Sequence, residues 1–167
     1  PDKKGVIIIN SLSKNLGISG WRIGFVICSM EIKSQILKLN QHLITCAPTI
    51  LTMYVDKFYD KILKHTSKQI KELLLKRMVI KAYLNKIKLK FLDGESTFYF
   101  FVSIENFIGS DKDFCNYLLY NHKIAVVPGS AYGISTNRYI RISFGTESTG
   151  RIKNALDKIK RVINIKN

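Results

Sequence analysis

The sequence predicts an α/β chain whose first two strands belong to a different layer from the rest. Three observations carry that expectation. β-Branched runs without alternation open the chain, helical patterning fills its middle, and strand and helix patterns alternate through its last third.

The run "GVIII" at 5–9 has the pattern of a strand covered on both faces, and "GWRIGFVIC" at 20–28 is a second of the same kind. Gly17 and Gly20 mark a tight connection between them. From Met30 to Asn40, Ile32, Ile36, Leu37 and Leu39 recur near helical spacing, and Pro48 interrupts the helical pattern. A long helical tract is expected from Thr49 to Asn85, with a break near His65. In it Leu73, Leu74, Met78, Ile80 and Leu84 run beside lysine-rich faces. "STFYFFVSI" at 96–104 is an aromatic and β-branched strand. Ser110 with Asp113 forms a capping-box start for the next helix, and "KIAVVPG" at 123–129 reads as a short strand ended by Pro128 and Gly129. "NRYIRISFG" at 137–145 alternates. Tyr139, Arg141 and Ser143 therefore share one face, and Ile140, Ile142 and Phe144 the other. Thr146 is expected to cap a last helix carrying Ile152, Leu156, Ile159 and Ile163. Two short, doubly covered strands do not make a sheet alone, so preceding chain is expected to complete them. A start at Pro1 without Met reads as an excised segment.

The chain has 167 residues and a formal net charge of +15. The excess is lysine spread from Lys3 to Lys166 rather than a compact arginine patch, which argues for a solvated surface and against a nucleic-acid partner. Cys28, Cys46 and Cys115 have no metal-ligand or CxxC spacing and read as reduced core residues of a cytoplasmic protein. His42, His65 and His122 are scattered, so no metal site is expected. No apolar run approaches the roughly 20 residues that span a bilayer, so no membrane partner is expected.

Lys14 stands where the first strand ends, flanked by Ser11, Ser13 and Asn15. A lysine amine kept neutral by burial or a nearby cation is a nucleophile toward carbonyls. Arg22 lies beyond the glycine turn; its planar fork suits a phosphate, and the two serine hydroxyls add donors to the same anion. Such a set suits a phosphorylated aldehyde, with pyridoxal phosphate the candidate. From the residues alone, an exposed loop lysine is the favoured reading, and spacing does not by itself select the cofactor.

"SLSKNLGISGWRIGF" resembles the active-site lysine segment of the class I/II aminotransferases, the fold-type I pyridoxal-phosphate enzymes. Ser11, Ser13 and Lys14 match the Ser-x-(Ser/Ala)-Lys part, and Gly20, Arg22 and Gly24 match Gly-x-Arg-x-Gly. "KIAVVPGSAYG" resembles the family's strand running into Pro-Gly-x-x-(Phe/Tyr)-Gly. "RYIRISFG" resembles the strand whose arginine binds the substrate α-carboxylate. The resemblance implies that Lys14 is the Schiff-base lysine and general acid–base. It implies that Ser11, Ser13 and Arg22 hold the cofactor phosphate, and that Arg141 binds the substrate. A bidentate arginine suits that task because it clamps both carboxylate oxygens. Arg138 reads instead as a strand residue paired with an acid. Tyr132 either lines the substrate pocket or packs at its turn. The glycine usual before "STFYFFVSI" is replaced by Ser96 or Thr97.

The likeness covers nearly the whole chain but only the C-terminal half of the family's enzyme. It implies a remnant of the large cofactor-binding domain at 1–30, ending that domain's sheet. Interdomain and small-domain helices are implied at 31–90, and an α+β small domain at 91–167. The groups holding the pyridine ring are expected upstream, and neither Asp2, Asp93 nor Asp111 is assigned to the ring nitrogen. The complete protein is expected to be a homodimer acting on amino-acid and 2-oxo-acid substrates, and the segment alone to be inactive. The alternatives are another fold-type I enzyme, a lyase or decarboxylase, and a non-catalytic dimerisation or regulatory module.

Overall fold

The structure, a computed structural model, describes residues 5–164. It divides into two compact units, one running to Lys71 and the other from Glu72.

In the first unit, strand β1 (Ile8–Ser11) pairs antiparallel with β2 (Gly24–Ile27), with Ser11 opposite Gly24. Between them lie a four-residue helix, α1 (Leu12–Asn15), and a 3-10 turn at Ser19–Trp21. Helix α2 (Met30–Leu43) starts at Ser29, whose hydroxyl accepts from the Ile32 amide at 3.4 Å. Helix α3 (Thr49–Lys86) begins in this unit. Leu12, Leu16, Ile23 and Val55 form a small core with Trp21 and Leu51 packed against it.

Several expectations for this unit are corrected. Strand β1 lies at 8–11 rather than 5–9, because Gly5 turns the chain at a φ of 82°. The second strand shortens because the 3-10 turn occupies 19–21 and Arg22 is left-handed. Neither strand is covered on both faces. Ile8, Ile9, Phe25, Val26 and Ile27 are all exposed, since a two-stranded ribbon brings no second layer of its own. Helix α3 is continuous past His65. Thr66 and Ser67 donate their hydroxyls back to carbonyls at Ile62 and Leu63, leaving the ladder intact. Cys46 is exposed and Cys28 half-buried, so only Cys115 is a core cysteine; burial, then the Asp111 charge, pushes its thiol up to about 11.

In the second unit, β3 (Phe91–Leu92), β4 (Tyr99–Ser103), β5 (Val127–Pro128) and β6 (Tyr139–Ser143) form an antiparallel sheet in the order β3-β4-β6-β5. Phe100, Val102 and Ile140 of the sheet join one core with helices α4 (Asp111–His122) and α5 (Thr149–Ile163) and the end of α3. Phe114, Leu118, Ile152, Leu156, Ile159, Ile80 and Leu84 represent those helices. Tyr83 at the end of α3 donates its hydroxyl to both Asp157 oxygens at 2.8 Å, tying α3 to α5.

Arg77 is a charged residue buried beside that core. It is 7% exposed and donates to the carbonyls of Thr97, Tyr99 and Gly94, while its guanidinium lies 4.4 Å from the Phe100 ring centroid. The carbonyls satisfy the charge-bearing fork without an acid. Arg138 is corrected in the same way. Among the described residues it pairs with no acid but donates to the carbonyls of Gly109, Ile104, Glu105 and Phe107, binding the β4–α4 loop.

The capping box at Ser110 and Asp113 is present in both directions. The strand expected at 123–129 shrinks to Val127–Pro128. Lys123 takes a left-handed conformation and the Ile124 amide still closes α4 on the Leu118 carbonyl. Ser148, not Thr146, caps α5 and accepts from the Arg151 amide at 3.3 Å. The Lys76 amine holds the preceding loop through the carbonyls of Gly145 and Glu147.

These bonds make two outcomes measurable. Arg77→Met leaves the carbonyls of Thr97, Tyr99 and Gly94 without their donor and removes the guanidinium stacked on Phe100, and is expected to lower stability by about 2–4 kcal/mol in urea unfolding. The second concerns acid. Hydrogen bonds from the Ser110 hydroxyl and amide hold Asp113 below the usual aspartate value of 3.8, and the Lys81 amine does the same for Asp93. A depressed folded-state pKa means stability that is full above 3.8 and lost as pH falls below it. Unfolding midpoints measured from about pH 5 to pH 2 should fall, with a shallower fall in Asp113→Asn.

Candidate functional site

The site residues predicted from the sequence lie in both units. In the first, Ser11 ends β1 and caps α1, its Oγ accepting from the Ser13 amide at 3.2 Å and donating to Ser13 Oγ at 2.9 Å. This cap turns the chain out of the strand within one residue. Lys14 therefore stands on a helical turn rather than at a strand end, exposed to solvent.

Arg22 returns beside the serines through an unusual backbone. Its φ of 55° and ψ of 45° are left-handed, and Nη1 donates to the Ser19 carbonyl at 2.9 Å. A non-glycine residue in that region carries roughly 1–2 kcal/mol of strain, a burden that concentrates at functional positions. Gly24 permits the close return of the chain, because a Cβ there would lie 2.7 Å from the Asn10 carbonyl oxygen. Ser11, Ser13 and Arg22 line one open groove with Asn10, Ile23 and Gly24. Among the described residues, no acid lines it. Two hydroxyls and a guanidinium, without an acid, form a donor set that fits a phosphate dianion.

In the second unit, β6 carries Arg141 opposite Phe101 of β4. The guanidinium carbon sits 4.4 Å from the Tyr99 ring centroid and 5.1 Å from that of Tyr132. Among the described residues Arg141 makes no ion pair, and its Nε is buried without a hydrogen-bond partner. A half-buried, unpaired guanidinium is a site for an anion.

Tyr132 is placed by a 3-10 turn, Gly129–Tyr132, that folds against its own backbone. Thr136 Oγ1 donates to the Gly129 carbonyl at 2.7 Å, and the Ser130 amide donates to Asp111 Oδ2 at 2.6 Å. Gly129 has no room for a side chain, since a Cβ would fall 2.0 Å from the Thr136 carbonyl oxygen. The turn's alternatives for Tyr132 resolve toward a ring facing Arg141, with Phe101 meeting it edge-on at 5.3 Å.

Tyr99 and Asp111 carry roles that the sequence reading missed. Alternation along "TFYFFVS" signals Tyr99, because it puts residues 99 and 101 on one face and the core residues 100 and 102 on the other. No comparable signal marks Asp111, which is buried at the start of α4 and holds the turn through Ser130. Of the residues left unassigned to the ring nitrogen, Asp93 pairs with Lys81, Asp111 holds the turn, and Asp2 lies outside the described residues. Thr97 has a φ of 69°, in the left-handed region that favours glycine.

These elements belong to a known architecture. Residues 1–159 match the family described as Aminotransferase class I and II, and the chain belongs to that family. It is 32% identical over 165 residues to an aspartate aminotransferase of Thermotoga maritima, covering 95% of this chain and 40% of the relative. It is 34% identical over 160 residues to a (5-formylfuran-3-yl)methyl phosphate transaminase of Methanocaldococcus jannaschii, covering 95% of this chain and 42% of that protein. The α/β fold matches the crystal structure of an aromatic aminotransferase from Pyrococcus horikoshii with a TM-score of 0.81 at 29% identity. That match covers 94% of this chain and 42% of the other. The chain thus spans about two fifths of the length of the curated relatives it matches. Among the described residues, no helix is long and apolar enough to cross a membrane.

The turn at Gly129 gives a direct test of how Tyr132 is placed. Gly129→Ala must displace the Thr136 carbonyl and is expected to lower stability by at least about 2 kcal/mol. Gly150→Ala, in open space in the first turn of α5, should instead raise it by about 0.5–1 kcal/mol. Denaturant unfolding of both variants reads the difference in sign.

Proposed function

We propose that this chain is part of a pyridoxal-phosphate-dependent aminotransferase that moves an amino group between an amino acid and a 2-oxo acid. The observation that carries the reading is Arg141, a guanidinium held ready for a carboxylate and, among the described residues, paired with no acid. When bound, pyridoxal phosphate supplies an aldehyde that joins to amines and a ring that takes up the electron pair released at the substrate Cα. Ser11, Ser13 and Arg22 hold its phosphate in the groove they line. The Lys14 amine is its covalent anchor and, once released, the base that takes the Cα proton. Arg141 binds the α-carboxylate and so orients the Cα–H bond for cleavage.

We further propose the following division of the chain. Residues 1–30 end the large cofactor-binding domain of a fold-type I enzyme, 31–90 are linking helices, and 91–167 form an α+β small domain. The complete protein acts in the cytoplasm as a homodimer, and this segment alone has no turnover. Transamination is favoured over lyase or decarboxylase chemistry, and over a non-catalytic module, by relatives at 32% and 34% identity that are an aspartate aminotransferase and a transaminase.

The test uses the complete polypeptide that contains this chain. After incubation with pyridoxal phosphate and reduction with borohydride, peptide mapping should find the cofactor on Lys14, with no selective adduct in Lys14→Ala. Activity should fall by at least about 100-fold in that variant. Selective labelling of a different lysine, or unchanged activity in Lys14→Ala, contradicts the reading.

A further inference from the structure

Arg141 raises a question that carboxylate binding alone does not answer. Arginine is long and flexible, and holding one side chain still in a half-buried position costs rotamer entropy unless something fixes it. Hydrogen bonds fix Arg77 and Arg138, which donate to three and four carbonyls respectively. Arg141 makes no such bond among the described residues, yet its Nε is enclosed.

The rings are what it touches. Tyr99 reaches it from the neighbouring strand, at 4.4 Å, and Tyr132 from the 3-10 turn, at 5.1 Å. Phe101, directly opposite Arg141 in the ladder, packs its ring edge-on against Tyr132. Guanidinium planes are attracted to aromatic faces, and such contacts fix orientation while leaving the N–H donors unspent. Of the three nitrogens, only Nε is enclosed and unpartnered, so the two terminal nitrogens are the donors left to a ligand.

We propose that Tyr99 and Tyr132 are positioning residues that clamp Arg141 through their rings, so that it meets a carboxylate end-on through its two terminal nitrogens. The inference rests on the reading of Arg141 as the carboxylate-binding residue. The rings, not the phenol groups, perform the task, because neither hydroxyl makes a hydrogen bond among the described residues. Tyr132 is 47% exposed, so replacing it removes a ring without opening the core.

The experiment measures KM and kcat for the preferred amino acid, and the inhibition constant of propanoate, in the complete cofactor-loaded enzyme. The variants are Tyr99→Leu, Tyr132→Leu, Tyr99→Phe, Tyr132→Phe and Arg141→Lys. Propanoate is the probe because it offers a carboxylate and no amino or oxo group. Each leucine variant is expected to raise KM and the propanoate constant by about tenfold with a smaller change in kcat. The phenylalanine variants should stay within about twofold of the parent. If Arg141→Lys weakens propanoate but the leucine variants do not, the clamp is overturned while the carboxylate reading stands. If Arg141→Lys leaves propanoate binding unchanged, the carboxylate reading fails and takes the clamp with it. Equal losses in the leucine and phenylalanine variants would place the effect in the hydroxyl groups and likewise overturn the clamp.

Discussion

The register of β4 against β6 is the constraint on which the second unit depends. Five residue pairs, from Tyr99 opposite Ser143 to Ser103 opposite Tyr139, set it. Side chains alternate along a strand with a period of two, so one choice of register decides both faces of the sheet. On one face it sends Phe100, Val102 and Ile140 into the core with α4 and α5. On the other it sets Arg141 beside Tyr99 and Phe101. A slip of one residue would bury the guanidinium and expose the core. The hydrophobic demand of the inner face therefore holds the polar chemistry of the outer face in place.

The arginines of the chain show how environment assigns a role to one residue type. Arg77 and Arg138 spend their donors on backbone carbonyls and so act as internal struts. Arg22 spends one donor on Ser19 and adopts a left-handed backbone beside two serine hydroxyls. Arg141 spends none among the described residues and is held by rings. A guanidinium whose donors are already satisfied by carbonyls has little left for an anion, whereas one oriented by π contacts retains its full set. The difference separates the structural arginines from those suited to ligands without any appeal to their place in the sequence.

Much of this was legible in the residues. The stripe of Ile152, Leu156, Ile159 and Ile163 is buried as its helical spacing requires, and the Ser110–Asp113 box forms because both partners lie within one turn. The two faces of residues 139–144 were readable because strand geometry makes alternation local. Other features depend on contacts remote in sequence. The role of Arg138 as a strut arises from a loop some thirty residues earlier, and the loop before the Ser148 cap is held by Lys76, some seventy residues away, through the carbonyls of Gly145 and Glu147. The β-branched run at the start signals burial, yet burial needs a covering layer, and the ribbon of β1 and β2 contains none. The Lys14 motif was readable as a pattern, but the helical turn on which it stands is set by the Ser11 cap.

The most direct test of the account is a single half-reaction. The complete protein, loaded with pyridoxal phosphate and freed of excess cofactor, is mixed with one amino acid and no 2-oxo acid, and the products are identified. The account predicts release of the matching 2-oxo acid in an amount equal to the enzyme, with the amino group retained until a 2-oxo acid is added. Carbon dioxide or free ammonia released with continuing turnover would contradict it, and so would a complete protein that takes up the cofactor but leaves every amino acid unchanged.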